Sequence, residues 1–78
     1  MTRANNRLLV MALQVAGSDG IRVSRASDNY IVFETPLNED VFYEERLVSG
    51  LRQCGGAIYK PVEVIRECDC MLYKIYVD

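Results

Sequence analysis

The sequence predicts a small α+β domain in which two helices pack on a four-stranded antiparallel sheet, in the chain order α-β-β-α-β-β. Two segments carry apolar residues at helical spacing, and each is followed by two strand-like segments joined by a short turn. Short connections of this kind pair strands antiparallel. The 78 residues leave room for one domain, residues 1–78, and their apolar content of 50% is ordinary for a globular chain.

The first helix is predicted over about residues 2–16. Thr2 suits the N-cap, and Gly17 suits the left-handed residue that follows a helix end. The apolar side chains of this segment cover much of the helix circumference: Leu8, Leu9, Met11, Ala12, Leu13, Val15 and Ala16. A helix with so wide an apolar stripe is expected to be covered by the sheet or by a partner.

A β-hairpin is predicted after this helix. Residues 21–24 alternate apolar and polar side chains, as a half-buried strand does, and residues 26–29 are turn-forming types. Residues 30–33 are β-branched or aromatic throughout, which predicts a central strand covered on both faces, with Tyr30 in the core. Pro36 is expected to end this strand.

The second helix is predicted to begin at Asn38 as its N-cap and to end at Gly55-Gly56. Its first turn would hold Glu39 and Asp40, where the helix dipole favours negative charge. An interior glycine costs a helix about 1 kcal/mol relative to alanine, so Gly50 either permits a close backbone approach or marks an early fray. One helix face carries Tyr43, Leu47, Gly50, Leu51 and Cys54.

A second hairpin closes the predicted fold. Residues 58–66 are strand-like but interrupted by Pro61, which predicts an edge strand or a bulge because proline cannot donate to the ladder. Residues 67–70 form the predicted turn. The last strand, residues 71–77, places alternate side chains on one face, with Tyr73 in the core: Met71, Tyr73, Ile75 and Val77.

The chemistry-bearing residues indicate that the chain is not an enzyme. It has no histidine, which removes the commonest general base and the commonest metal ligand. Residues 17–20 lack the lysine and the strand-to-helix order of a phosphate-binding loop, and no serine stands in a nucleophile signature. We therefore predict no catalytic residue and no cofactor.

The three cysteines are candidate metal ligands. Cys68 and Cys70 are two residues apart, Cys54 could add a third thiolate, and Glu67 or Asp69 would have to complete the four ligands of a structural zinc site. The favoured interpretation is a hairpin turn with thiols beside the core, so no metal site is predicted. The sequence leaves free, disulfide-linked and metal-bound thiols open, although the odd cysteine count favours reduced thiols.

The net charge of −2 is unevenly distributed along the chain. Residues 1–25 carry four arginines against one aspartate, whereas residues 26–55 carry six acidic residues against two arginines. An acidic surface is expected to meet a basic partner, such as a protein groove that otherwise binds nucleic acid. The acidic residues of the second helix region that we predict to form this surface are Glu39, Asp40, Glu44 and Glu45.

The early arginines are the candidates for contact with nucleic acid. Arg3 and Arg7 would share a helix face. The isoelectric point of about 5.0 argues against a dedicated nucleic-acid binder, whose domain has a value above about 9. Direct nucleic-acid binding is therefore an alternative, and its candidate residues are Arg3, Arg7, Arg22 and Arg25.

The aromatic residues favour binding to another protein. The chain has five tyrosines and no tryptophan, and tyrosine is enriched at the hot spots of protein interfaces. Phe42, Tyr59 and Tyr76 occupy positions whose pattern does not require burial. We predict that they anchor a partner beside the acidic residues; the alternative is that Tyr59 and Tyr76 pack under neighbouring loops.

Together these features predict a non-catalytic protein-binding module, a small inhibitor or adaptor that docks on a larger protein as a monomer or homodimer. In small size, compactness and absence of motifs, the chain resembles the accessory proteins of phages and other mobile elements, including anti-CRISPR inhibitors. This resemblance covers general character only, and it implies a host nucleic-acid-processing or defence complex as partner. The alternatives are a nucleic-acid-binding regulator that uses the arginines, and a self-associating structural subunit.

The expected location is the cytoplasm, without membrane contact. The longest apolar run is residues 8–13, whereas a membrane-spanning helix needs about 20 apolar residues.

Overall fold

The computed structural model describes residues 3–17 and 19–78, with side chains for residues 7–17 and 19–78, so the N-cap predicted at Thr2 lies outside the described residues. The predicted order α-β-β-α-β-β is confirmed, and the strands form one antiparallel sheet in the order β1-β2-β4-β3. The elements are α1 (Arg3–Val15), β1 (Arg22–Ala26), β2 (Tyr30–Pro36), α2 (Tyr43–Gln53), β3 (Glu63–Arg66) and β4 (Cys70–Tyr76).

The core lies between the two helices and one face of the sheet. Ile31 and Phe33 of β2 and Ile75 of β4 are fully buried there, and alternation along the strands turns the intervening side chains to the opposite face. Both helices of the described chain contribute to the same core, so we call the opposite face the helix-free face. The core residues are Leu8, Met11, Ala12, Ile21, Ile31, Phe33, Tyr43, Leu47, Leu51, Tyr73, Ile75 and Val77.

The prediction that residues 30–33 form a strand covered on both faces is wrong. The strand is central, as expected, but Tyr30 and Val32 lie on the helix-free face and are only half-buried. The placement of Tyr30 in the core is wrong for the same reason, whereas Tyr73 is in the core as predicted. The strand extends beyond residue 33 and ends at Pro36.

The strand β1 contains a bulge that changes where its arginines point. Arg22 pairs with Glu34, and after the irregularity between Val23 and Arg25, Arg25 pairs with Val32. A bulge inserts one extra residue, so two positions that simple alternation would place on opposite faces come to share one face. Arg22 and Arg25 therefore both lie on the helix-free face.

The helix α2 begins later than predicted. Its N-cap is Phe42, not Asn38, and the Asn38 side-chain carbonyl accepts a hydrogen bond from the Asp40 backbone N–H at 3.1 Å. An asparagine side chain can stabilise a turn as readily as a helix N-terminus. Here the Asn38 side chain hydrogen-bonds within the turn and does not cap the helix. Glu39 and Asp40 lie in this turn, so the acidic residues of the first helical turn are Glu44 and Glu45.

The close approach of two helices explains Gly50. A Cβ atom at Gly50 would lie 3.1 Å from Cγ1 of Val15, so the glycine permits α1 to pack closely on α2. The helix continues to Gln53, and the early fray that the sequence left open does not occur.

The second hairpin is confirmed, with shorter pairing than expected. Instead of one strand over residues 58–66, Ile58 makes an isolated antiparallel bridge with Val77, and β3 itself covers only Glu63–Arg66 at the sheet edge. Pro61 lies between the two pairings, where a residue without an N–H cannot continue the ladder.

The apolar stripe of α1 is only partly covered. Leu8, Met11 and Ala12 are buried, but Val10 and Leu13 are 54% and 58% exposed. Neither helix of the described residues has the length and hydropathy needed to cross a membrane.

Candidate functional site

Three tyrosines gather on the helix-free face. Tyr30 and Tyr76 are cross-strand partners on β2 and β4, with ring centroids 5.9 Å apart. The bridge between Ile58 and Val77 places Tyr59 beside this pair, with its ring edge-on to Tyr76 at 6.1 Å. Both separations lie in the range where aromatic rings attract each other. We call Tyr30, Tyr59 and Tyr76 the tyrosine cluster.

Cationic side chains lie over the rings of the tyrosine cluster. The Lys74 Nζ atom is 4.3 Å from the Tyr30 ring centroid and 5.1 Å from that of Tyr76. The Lys60 Nζ atom is 4.5 Å from the Tyr76 centroid, and the Arg25 guanidinium carbon is 5.8 Å from that of Tyr30. Each such contact contributes about 0.5–1 kcal/mol at an exposed site, which holds these long side chains near the rings.

Lys74 keeps its positive charge at neutral pH. A hydrogen bond with Tyr76 raises the pKa of Lys74 above its ordinary value, and the Glu63 carboxylate, its cross-strand neighbour on β3, acts in the same direction. Partial burial lowers the pKa but does not reverse the shift. The charged Lys74 side chain therefore lies over the rings of Tyr30 and Tyr76.

The helix-free face carries both cationic and acidic residues. The register places Glu34 and Glu63 on it. Glu67 and Asp69 act together with Glu34 on the pKa of Cys70, which alternation along β4 places on the same face, and Asp28 and Asp78 border the same depression as Tyr59. The cationic residues of the face are Arg22, Arg25, Lys60 and Lys74. Cations and carboxylates are therefore interspersed, and the cations that lie over the tyrosine rings are Arg25, Lys60 and Lys74.

The structure divides the predicted aromatic anchors between two surfaces. Tyr59 and Tyr76 lie together in the tyrosine cluster, and Tyr59 remains 50% exposed, so it is not packed under a loop. Phe42 is 73% exposed at the start of α2, on the helix-covered side. It borders a depression of about 370 Å³ that Val64 and Tyr73 also line.

The acidic residues predicted to bind a partner lie near Phe42 and not near the tyrosine cluster. Glu39 and Asp40 lie in the turn before α2, Glu44 and Glu45 lie in its first turn, and all four are exposed. The helix that carries them packs on the core side of the sheet. The acidic surface and the tyrosine cluster are therefore separate surfaces.

The early arginines do not form one surface in the described chain. Arg22 and Arg25 share the helix-free face. Arg7 donates a hydrogen bond to the Asp78 backbone carbonyl at 3.3 Å and borders a depression of about 200 Å³ next to Tyr59. The side chain of Arg3 lies outside the described residues.

The cysteines are free thiols, with no disulfide among them. Cys54 donates a hydrogen bond to the Gln14 side-chain oxygen at 3.4 Å, which ties α2 to α1. Partial burial raises the pKa of the Cys70 thiol, and the carboxylates of Glu34 and Asp69 add to the effect. Within residues 3–17 and 19–78, no three side chains of metal-ligating type are grouped to hold an ion.

We expect iodoacetamide at pH 8 to modify Cys68 several times faster than Cys70. Cys68 is exposed, whereas Cys70 is half-buried and its raised pKa reduces the reactive thiolate fraction. One tryptic peptide, residues 67–74, carries both thiols, so fragment ions give their ratio directly. In urea, where the fold is lost, the two rates should converge. Equal rates in the folded protein would contradict the prediction.

The fold and the helix-free face define a small α+β domain with an open, cation-rich tyrosine surface. Comparison with known families, curated proteins and solved structures finds no match to the chain. The function has to be inferred from the surface itself.

Proposed function

We propose that this chain is a non-catalytic protein-binding module, a small inhibitor or adaptor that docks on a larger protein through its helix-free face. The tyrosine cluster carries the proposal, because it gathers three tyrosines on a face that neither described helix covers. Tyrosine and arginine are enriched at interface hot spots, and Arg25 lies beside the cluster.

The strands and contacts that hold Tyr30 and Tyr76 in place favour docking without rearrangement of these side chains. Tyr30 and Tyr76 stand on the two central strands, and each ring contacts a neighbouring ring and at least one cation. Ordering a flexible side chain at an interface costs about 0.5–1.5 kcal/mol, and side chains that are already held lose less of this on binding. A rigid aromatic surface is therefore suited to affinity for a complementary partner.

The acidic residues would make a separate contact. Glu44 and Glu45 lie beside Phe42 on the helix-covered side, so a basic groove that received them would not touch the tyrosine cluster at the same point. The principal interface in this proposal is the helix-free face, and the acidic surface is a second one for a basic part of the partner.

The most specific form of the proposal makes the partner a host nucleic-acid-processing or defence complex, and the chain an anti-CRISPR-like inhibitor from a phage or other mobile element. Its support is general character alone: 78 residues, a compact fold and no catalytic motif.

Single-stranded nucleic acid is the second candidate partner. Aromatic rings beside cations on an open antiparallel sheet form a surface on which bases stack. Two observations rank it second. Lys60 and Lys74 lie over the rings that bases would need, and the net charge of −2 repels a polyanion.

The test compares two exposed aromatic sites on opposite sides of the sheet. The protein, its Tyr59→Ala/Tyr76→Ala variant and the matched Phe42→Ala variant are used as baits in source-cell lysate, followed by quantitative mass spectrometry. A partner held through the tyrosine cluster is lost from the double variant and retained by Phe42→Ala. With the purified partner, loss of one hot spot should raise the Kd about 30-fold or more.

Circular dichroism of each variant first establishes that it folds, and Tyr59→Ser alone serves if the double variant does not, since Tyr59 is half-exposed. Loss of the partner from Phe42→Ala alone would move the interface to α2 and overturn the proposal. Tight, salt-sensitive binding of single-stranded oligonucleotides, lost in the tyrosine variant, would favour the second candidate.

A further inference from the structure

The two edge strands of the sheet differ in regularity. The strand β1 contains the bulge between Val23 and Arg25, and a bulge disturbs the row of backbone groups that a sheet edge presents. The strand β3 pairs with β4 without a shift of register over Glu63–Arg66, and all its residues are exposed. No other strand of the described chain borders its outer side. The β3 edge is therefore the one that can accept a further strand.

The hairpin turn fixes which backbone groups of β3 point outwards. The Glu67 N–H donates to the Cys70 carbonyl at 2.9 Å, so these two residues form a hydrogen-bonded pair. Hydrogen-bonded and non-hydrogen-bonded pairs alternate along an antiparallel ladder, which makes Ile65 the next residue of β3 that is bonded to β4. The N–H and C=O groups of Val64 and Arg66 therefore point away from β4. Each of these two residues offers one donor and one acceptor at the outer edge.

A groove runs beside β3 on the helix-covered side of the sheet. Val64 and Arg66 pair with Tyr73 and Met71 of β4, so their side chains share the face that carries the core. Depressions of about 390 Å³ and 370 Å³ adjoin on this side and share part of their lining, so they form one groove. We call it the β3 groove, and its lining includes Leu37, Val41, Tyr43, Val64, Arg66 and Tyr73.

The lining of the β3 groove is acidic as well as apolar. Its one cation in the described chain is Arg66, and no ion pair joins Arg66 to a lining carboxylate in the same part of the chain. The carboxylate of Asp19, next to Tyr43, is already balanced by its ion pair with Arg46. A basic residue in a partner would supply the missing counter-charge. The lining carboxylates are those of Glu39, Glu44 and Glu45, with Asp40 beside Glu39.

An added antiparallel strand would use the edge and the groove together. Its residues opposite Val64 and Arg66 would turn their backbone groups to β3 and their side chains into the β3 groove. Leu37 and Val64 are 41% and 44% exposed there and offer apolar contact. Strand addition of this kind takes affinity from backbone hydrogen bonds and specificity from pockets for alternate side chains.

We infer that an extended segment of a protein partner adds to β3 as a further antiparallel strand, with apolar side chains at alternate positions in the β3 groove and a basic residue beside Glu44 and Glu45. This surface is separate from the tyrosine cluster, so the inference goes beyond the proposed function. It also states the form in which a basic part of the partner meets the acidic residues.

The test uses a seven-residue peptide with blocked ends, in which valine and serine alternate between two terminal lysines. Amide hydrogen exchange measured by NMR is the readout. In the free protein, the amides of Val64 and Arg66 should exchange faster than that of Ile65, because only the Ile65 N–H is bonded to β4. Peptide at ten times its Kd should slow the exchange of the Val64 and Arg66 amides about tenfold.

Two N-methylated peptides distinguish strand addition from other modes of binding. A methyl group on the central valine nitrogen removes a donor that faces β3 and should abolish the protection of Val64 and Arg66. The same group on a neighbouring serine nitrogen points away from β3 and should change the Kd less than about threefold. A peptide with glutamates in place of the lysines should bind more weakly at low salt, and added salt should reduce the difference.

Val64→Pro and Val64→Ala are the matched variants of the protein. Proline removes the outward N–H and leaves the β3–β4 ladder in place, and an edge strand tolerates proline in this orientation. We expect Val64→Pro to weaken peptide binding at least about tenfold, and Val64→Ala, which keeps the N–H, less than about fourfold. The amide shifts of Ile65 and Leu72 report whether the hairpin is retained. If Val64→Pro does not retain it, the two methylated peptides decide.

Three results would overturn the inference. They are absence of binding at millimolar peptide, equal effects of the two N-methyl groups, and protection of Val64 and Arg66 that increases with the concentration of the protein alone. The last result would assign the β3 edge to a second copy of the chain.

Failure of this inference is distinguishable from failure of the proposed function. Tyr59→Ala/Tyr76→Ala should bind the peptide as the native protein does, because the tyrosine cluster lies on the other face of the sheet. A partner that this variant retains would remove the proposed function and leave peptide binding at β3 unaffected. Absence of peptide binding would remove the inference and leave the tyrosine cluster as the interface.

Discussion

Replacing Phe33 with alanine is expected to lower the free energy of unfolding by about 3–5 kcal/mol. Phe33 is fully buried at the centre of β2, between its cross-strand partners Val23 and Tyr73, and both helices close over the same core. The loss comprises the transfer of the ring to water and the cavity that it leaves. A domain of this length is stable by only about 4–12 kcal/mol, so the variant loses a large part of its stability.

The chain provides its own control, because its only other phenylalanine is exposed. Phe42→Ala removes the same ring from a position that is 73% exposed, and should change the stability by less than about 0.5 kcal/mol. Urea unfolding followed by circular dichroism gives both values from the midpoints, provided that the slope is unchanged. A Phe42→Ala variant as unstable as Phe33→Ala would contradict the burial that the fold assigns to the two rings.

The elements predicted best from the sequence are those whose burial follows one clear period. Near the end of the chain, alternation predicted that Tyr73 and Ile75 of β4 and the following Val77 share a face, and all three lie in the core. The burial of residues 30–33 was harder to predict. β-branched and aromatic residues occur in strands that are covered on both faces, and they also occur in strands whose second face is exposed and carries aromatic side chains. Only the packing of both helices on one side decides between them, and that is a long-range property of the chain.

The start of α2 shows a second limit of prediction from local sequence. Asn38 has the chemistry of an N-cap, but the same side chain stabilises the turn that precedes the helix, and local sequence does not distinguish these uses. The observed helix begins at Tyr43 and buries Tyr43, Leu47 and Leu51 on one face. Glu39 and Asp40 were consequently assigned to the wrong element, although the helix dipole accounts for the acidic residues that do follow, Glu44 and Glu45.

Two of the three tyrosines of the cluster could be predicted as binding residues, but the third tyrosine and the cations around the cluster could not. Tyr59 and Tyr76 were identified as aromatic residues not required by the core. Lys74 was missed although it is two residues from Tyr76 in a strand, a spacing that already places both on one face. The contact with Tyr30 depends on the β2–β4 register, and the position of Arg25 depends on a bulge; neither leaves a signal in local sequence.

Replacing Gly56 with alanine is expected to destabilise the fold by about 1–3 kcal/mol, because the new methyl group has no room. Its Cβ atom would lie 2.8 Å from Cγ1 of Val77, 3.0 Å from the backbone oxygen of Leu51 and 3.1 Å from Sδ of Met11. The Leu51 backbone oxygen also accepts a hydrogen bond from the Gly56 N–H at 2.8 Å. Moving the Leu51 carbonyl away from the new methyl group would break this hydrogen bond. Each 1 kcal/mol lost should lower the Tm by about 4–8 °C.

A double-mutant cycle identifies crowding as the cause. Val77→Ala removes the closest carbon, so Gly56→Ala should cost less in that background than in the native one. The neighbouring Gly55→Ala is the comparison: its methyl group meets nothing within 4 Å, and its cost comes from the positive φ of 88°. That cost should be the same with either residue at position 77. An undiminished effect of Gly56→Ala beside Val77→Ala would contradict the tight packing of this loop against the end of β4.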